Sequence, residues 1–150
     1  MAKSIGDLMS THIETIDSSA TAEDAAKKMR DKNISSLIVL DNSGGNTGIV
    51  TERDLVRRVC ASGARSKDIP VSEIMSSPVA TIDPYSPVEV AADNMLHSKI
   101  RHLLVTDKDG KSLGIITLTD LAAFMSENVD LDEVNATILR ALKEEGGYAS

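Results

Sequence analysis

Apolar positions along this chain follow two rhythms, and each rhythm occurs twice. Ala22, Ala25, Ala26 and Met29 fall at i, i+3, i+4 and i+7, the spacing that lines one face of a helix. Val88, Ala91, Ala92 and Met95 repeat that spacing. After each predicted helix comes a short continuous apolar run, LIVL at 37–40 and LLVT at 103–106, which reads as a strand. The strings DNSGGN and DKDGKS follow as turns, with glycine available for positive φ. They lead into GIVT at 48–51 and GIIT at 114–117, so each strand pairs with the next as a hairpin. A short extended piece at 13–16 or 79–82 precedes each first helix, and a second helix, LVRRVCA or LAAFMSE, follows each hairpin. The predicted unit is β-α-β-β-α.

The two units are copies. Residues 7–59 align with 73–125 at a constant offset of 66, without a gap, and 19 of the 53 positions are identical. Identities fall on core and turn positions alike: Thr15-Ile16-Asp17 with Thr81-Ile82-Asp83, Leu37 and Val39 with Leu103 and Val105, Gly44 with Gly110. Such a pattern marks duplication of a whole structural unit. A unit of roughly 55 residues is marginal alone, so the two are expected to pack face to face about a pseudo-two-fold axis. The expected organisation is a first repeat at 1–62, a linker at 63–72, a second repeat at 73–126 and a helical tail at 127–150, in the mixed α/β (α+β) class. In the tail, Asp130 and Glu133 pair as a capping box, Leu131, Val134, Ile138 and Leu142 form an apolar stripe, and Gly146-Gly147 ends the helix. That stripe packs either on its own module or against another chain.

Composition narrows the functional classes. Aromatic residues make up 2% of the chain, so the core is aliphatic. No apolar run reaches the roughly 18 residues of a membrane span, and no signal peptide is expected at the N-terminus. With one cysteine there is no internal disulfide. Cys60 is expected to be a buried structural thiol, suited to a reducing cytoplasm. A net charge of −7 without a long basic run disfavours nucleic acid as a partner. No nucleophile–base pair, metal cluster or Walker loop is visible, so an enzyme is not expected. His12 and His97 lack metal-ligand spacing and read as surface or turn residues. Asp107-Lys108-Asp109-Gly110 lacks the spacing and terminal Glu of a calcium loop and reads as a hairpin turn. Arg57 and Arg58 read as a solvated helix face.

GIVTERDL at 48–55 and GIITLTDL at 114–121 carry the candidate chemistry. Thr51-x-x-Asp54 and Thr117-x-x-Asp120 each fit a helix capping box, which needs no ligand. Three features add a binding role. The motif ends a strand and opens a helix, where free N–H groups attract anions. Gly48 and Gly114 leave room for something to approach the backbone. The two copies also flank the interface between repeats, where a cleft forms. A carboxylate there suits the two hydroxyls of a ribose, and a threonine hydroxyl suits phosphate. Capping and binding can coexist.

In its doubled GIVTERDL and GIITLTDL, its DLMS…TID and EIMS…TID, and its NISSLIVLD and KIRHLLVTD, the chain resembles a tandem pair of CBS (cystathionine β-synthase type) domains, a Bateman module, over about residues 4–126. The resemblance implies a ligand-sensing regulator that binds AMP, ADP or ATP, or else S-adenosylmethionine or a nicotinamide nucleotide such as NAD(H), and that forms a homodimer. It also implies two composite clefts. One joins Thr51, Arg53 and Asp54 to Val79, Ala80, Ile100, Arg101 and His102. The other joins Thr117, Thr119 and Asp120 to Ile13, Glu14, Ile34, Ser35 and Ser36. By the same resemblance Asp54 and Asp120 take ribose hydroxyls, Thr51, Thr117 and Thr119 face phosphate, and the apolar residues clasp adenine. Arg53, Arg101 and His102 meet Thr119, Ser35 and Ser36 at matching positions, and Glu14 adds negative charge to the second cleft. The first cleft is therefore expected to bind a phosphorylated adenosine more tightly. A bound phosphate is expected to raise the pKa of His102. With no effector domain in the sequence, the regulated partner is expected to be a separate protein. The competing reading is an interaction scaffold whose Thr-x-x-Asp motifs serve only as caps.

Overall fold

The computed structural model describes residues 3–128 and 131–145. Asp130 and Gly146-Gly147, the expected start and stop of the tail helix, lie outside them. A short helix α1 (Ile5–Leu8) precedes the first unit, which runs β1 (Thr15–Asp17), α2 (Ala22–Lys32), β2 (Ser36–Leu40), β3 (Asn46–Thr51) and α3 (Glu52–Asp54). α3 continues into a π-helical stretch, Leu55–Cys60. The second unit runs β4 (Thr81–Ile82), α4 (Val88–Ser98), β5 (His102–Thr106), β6 (Ser112–Thr117) and α5 (Leu118–Asn128), and α6 (Leu131–Glu145) closes the described chain. Each unit forms a three-stranded sheet with the middle strand parallel to the first and antiparallel to the third, in order β1-β2-β3 and β4-β5-β6. β1 and β4 are shorter than the expected extended pieces, which leaves residues 13 and 79 outside the ladder.

Strand alternation sorts the apolar runs between two environments. Leu37, Val39 and Val50 point towards α2, where they pack with Ala22, Ala25 and Met29. Leu103, Val105 and Ile116 do the same beside α4, with Val88, Ala91 and Met95. Ala26, assigned to that helix face from spacing, is exposed. The intervening residues, Ile38, Ile49 and Leu104, meet between the sheets with Ile115, Ile13 and Val79 at their edges. Ile38 and Leu104, Ile49 and Ile115, and Ile13 and Val79 are each 66 positions apart, so the seam is built from equivalent residues as a pseudo-two-fold requires. Both faces of each sheet are thereby covered, which is why LIVL and LLVT are continuous rather than alternating.

The segments that precede each sheet cross to the other unit. Ile5, fully buried, packs into the core of the second unit beside Ile82 and Leu121. Val71 and Ile74 pack into the core of the first. Backbone pairs bind both crossings. Ser10 N–H donates to Ile115 O at 2.9 Å and Ile115 N–H to Ser10 O at 2.8 Å, while Ser76 and Ile49 exchange the equivalent bonds at 2.8 and 2.9 Å. This corrects the reading of Gly48 and Gly114. A Cβ on Gly114 would lie 2.6 Å from Ser10 O, and one on Gly48 2.8 Å from Ser76 O. The glycines admit the crossing chain, not a ligand.

One further expectation fails locally. Cys60 is exposed; Val59, 3% exposed, takes the inward place, and the next residue on a helical path is carried off that face. For the tail, where two alternatives stood open, Ile138, Leu139 and Leu142 on α6 remain about half exposed, which leaves this part of the helix uncovered by its own module.

Candidate functional site

Both strand-to-helix junctions form complete capping boxes. Thr51 N–H donates to Asp54 Oδ2 at 2.9 Å, and Asp54 N–H donates to Thr51 Oγ1 at 3.2 Å. Thr117 and Asp120 do the same at 2.9 and 3.2 Å. The Thr51 hydroxyl also donates to Asp54 Oδ2 at 3.1 Å, so its proton is committed within the box. Capping nevertheless occupies only one carboxylate oxygen. Asp54 is the one buried charged residue among the described residues, 8% exposed. Its second oxygen, Oδ1, lies 3.7 Å from Arg58 Nε.

Each junction opens onto a cleft between the units, and the two clefts share Ser35, Glu52, Thr117 and Thr119. The first, about 610 Å³, brings together Thr51, Arg53 and Asp54 with Ala80, Ile100, Arg101 and His102. Val79, expected there, belongs instead to the seam between the sheets, since it sits one strand position away from Ala80. The second, about 580 Å³, brings together Thr117, Thr119 and Asp120 with Ile13, Glu14, Ile34, Ser35 and Ser36. Hydrogen bonds within and between the units brace this region. Glu52 N–H donates to Ser35 O at 3.0 Å and Leu118 N–H to Arg101 O at 2.9 Å, each within its own unit. Ser35 Oγ and His102 Nε2, 3.0 Å apart, and Asn46 Nδ2 and Ser112 Oγ, 2.6 Å apart, join the two units.

The clefts differ more in charge than the sequence indicated. Arg57 and Arg58, exposed as expected of a solvated face, also line the first, together with Lys99. Its walls carry five cationic side chains (Arg53, Arg57, Arg58, Lys99, Arg101) against two carboxylates (Glu52, Asp54). Of these cations only Arg58 is in an ion pair among the described residues. At positions 66 residues away stand Thr119, Ala123, Phe124, Asn33 and Ser35, none of them charged. The second cleft has Arg30 and His12 against Glu14, Glu52 and Asp120. Glu14 is not an isolated negative charge: His12 Nε2 lies 2.7 Å away, Lys28 Nζ 3.6 Å and Lys32 Nζ 4.0 Å. The His12 hydrogen bond, then these lysines, hold its carboxyl below the ordinary glutamate range. His12 is exposed, as expected, yet it borders this cleft.

His102 is held below the ordinary histidine range, chiefly by burial and next by Arg101, with Asp120 and Asp54 pulling the other way. The free fold therefore favours neutral imidazole. A base whose pKa is depressed by folding stabilises the fold fully above its unfolded value of about 6.5. That contribution is lost as pH falls through the folded value, because the unfolded chain then binds the extra proton more readily. Chemical denaturation from pH 7.5 to 5.5 is expected to show stability falling, with a shallower fall in His102→Gln. Parallel slopes for the two proteins would contradict this assignment.

Elsewhere, Asp107 Oδ1 accepts from Asp109 and Lys111 N–H, both at 2.9 Å, as a hairpin turn requires. His97 Nδ1 lies 2.9 Å from Asp93 O on α4, away from both clefts. No helix among the described residues is long and apolar enough to cross a membrane.

Comparison with known proteins places the whole arrangement. A family model described as CBS domain matches residues 5–61 and again 71–127. The CBS domain-containing protein YhcV of Bacillus subtilis is 33% identical over 125 residues, covering 83% of this chain and 87% of its own. A hexameric CBS-CP12 protein from bloom-forming cyanobacteria superposes with a TM-score of 0.77 at 33% identity, covering all of this chain and 87% of the other. A CBS domain protein of Pyrobaculum aerophilum, solved complexed with AMP, shares the fold with a TM-score of 0.71 at 24% identity, covering 78% and 88% of the two chains.

Proposed function

The chain belongs to the CBS-domain family, and from that premise we propose that it is a sensor of phosphorylated adenosine (AMP, ADP or ATP) working in the cytoplasm through a protein partner. The observation that carries this reading is the first cleft. Four cations with no ion pair among the described residues line it together with a buried carboxylate that has one oxygen left uncapped. Arginine forks phosphate oxygens in pairs, and several cations on one wall attract a polyanion strongly. Asp54 Oδ1 is an acceptor for ribose hydroxyls, and Ile49, Ala80 and Ile100 offer apolar wall to a base. The Pyrobaculum protein lends AMP as the first ligand to try. The second cleft keeps the ribose-type carboxylate, Asp120, but its one arginine, Arg30, is paired with Asp31, so its affinity for phosphate is expected to be lower.

The role proposed for it is binding, because the cleft presents cations and acceptors suited to an anionic ligand. The scaffold reading draws on the fact that both Thr–Asp boxes are complete without a ligand. Thermal shift with AMP, ADP, ATP, S-adenosylmethionine and NADH separates the two. A ligand at 100 times its Kd stabilises by about 2.7 kcal/mol. A response to the adenosine phosphates supports the sensor, and silence across the panel supports the scaffold.

We also propose that the chain forms a homodimer through α6. The exposed Ile138, Leu139 and Leu142 would bury apolar surface on a second copy. Sedimentation equilibrium is expected to give a dimer that Ile138→Glu with Leu142→Glu converts to monomer. A wild-type monomer at tens of micromolar, roughly the range where stable dimers persist, would contradict it.

A further inference from the structure

Arg58 occupies a position that capping and phosphate attraction do not account for. Its Nε faces Asp54 Oδ1 at 3.7 Å, and its Nη1 lies 3.1 Å from Met75 O and 3.3 Å from Ile74 O. Those carbonyls belong to the crossing segment that enters the first unit, where Ile74 is buried and Met75 packs over Gly48. One guanidinium thus joins the cleft carboxylate to the chain that ties the two units together. The path around it is unusual. The stretch Leu55–Cys60 is wound as a π-helix, with Ala61 N–H bonded to Val56 O at 2.9 Å, whereas the equivalent part of α5 is an ordinary helix. Wide turns of this kind recur at functional positions, where they re-aim side chains. At the equivalent place in the second unit stands Phe124, which has no guanidinium to offer.

Resting on the nucleotide reading of this cleft, we propose that Arg58 is a positioning residue that couples occupation of the cleft to the crossing segment at 71–77. In the free protein Asp54 Oδ1 holds Arg58, and Arg58 holds the carbonyls of Ile74 and Met75. A ribose that donates its hydroxyls to Asp54 Oδ1 competes for that oxygen, and a phosphate nearby draws the guanidinium into the cleft. The carbonyls are then released, and the segment loosens where it pairs with β3 through Ser76 and Ile49. A ligand shifts an equilibrium only by its differential contacts with the two states; here the difference is which group holds Arg58. Phe124, at the equivalent place, offers no guanidinium to draw away, so ligand in the second cleft is expected to leave the equivalent segment at 5–11 unaffected.

Hydrogen exchange of the amides at 71–77, with AMP as the probe, tests this in two arms. Without ligand, Arg58→Gln is expected to exchange several-fold faster than wild type in this segment, with Arg58→Lys between them. Unchanged exchange in Arg58→Gln overturns the clip whatever the ligand does. With calorimetry showing AMP bound, wild-type exchange at 71–77 is expected to rise several-fold, while Arg58→Gln binds AMP and shows no further rise. Bound AMP with unchanged or slower exchange in wild type overturns the coupling and leaves the nucleotide reading standing. Absence of AMP binding by calorimetry overturns the coupling to AMP, silence from ADP and ATP as well overturns the nucleotide reading, and the ligand-free arm still decides the clip.

Discussion

Gly114→Ala is expected to destabilise the fold by about 1–3 kcal/mol, the range for forcing a methyl into a packed interior. The added Cβ would stand 2.6 Å from Ser10 O, a backbone atom held in place by the paired bonds between Ser10 and Ile115. Main chain in that position cannot rotate away as a side chain does. Either the crossing segment moves, taking buried Ile5 partly out of the second core, or β6 bends. Gly48→Ala meets the same arrangement one repeat earlier. Its nearest neighbour, Met75 Sδ at 2.6 Å, is the flexible end of a side chain, but Ser76 O at 2.8 Å is not. Gly114→Ala is therefore expected to cost the more of the two. For a chain of this size each kcal/mol corresponds to roughly 2–4 °C in Tm, so calorimetric scans resolve the effect. Wild-type Tm in both variants would mean that the crossing segments are not held as described.

Arg101→Ala is expected to weaken AMP binding roughly ten- to a hundredfold, the loss of one or two charge-assisted hydrogen bonds at about 1.5–3 kcal/mol. Arg101 lines the first cleft, its carbonyl is fixed by Leu118 N–H, and its guanidinium has no ion pair among the described residues to compete with a ligand. Arg101→Lys keeps the charge but not the planar fork, so it recovers only part of the affinity. Calorimetry of the three proteins at one salt concentration gives the comparison, and an unchanged Kd in Arg101→Ala contradicts the role assigned to it. Ser35 stands at the equivalent position in the first unit, and Ser35→Arg is the reciprocal change, adding to the second cleft an arginine where it has a serine.

How much of this was legible without coordinates depended on whether a feature repeats. The two hairpins and the core helices follow from the offset of 66, because identical local patterns bury the same faces, whereas the cross-unit composition of both clefts is what the family resemblance implies. The resemblance assigns sixteen residues to the clefts, and Val79 alone turns away from them, into the seam. The crossing was hidden by the repetition itself. DLMS and EIMS carry the same apolar pattern whichever core they enter, so sequence places each beside its own repeat, while Ile5 and Val71 pack across. Gly48 and Gly114 were then credited to a ligand because the chain that fills the space beside them was unknown. Arg57, Arg58 and Cys60 depend on the π-winding after α3, which has no counterpart in the second unit and no signature in residue spacing. The charge asymmetry was visible at Arg53 and Arg101, and it became larger once Arg57, Arg58 and Lys99 joined the same wall.

The central claim is that one of two similar clefts is built for a phosphorylated ligand, and titration calorimetry with AMP on wild type, Asp54→Ala and Asp120→Ala tests it most directly. The account predicts one tight site per chain in wild type, lost in Asp54→Ala and retained in Asp120→Ala. Two sites of equal affinity, or a tight site that survives Asp54→Ala and disappears in Asp120→Ala, would contradict it.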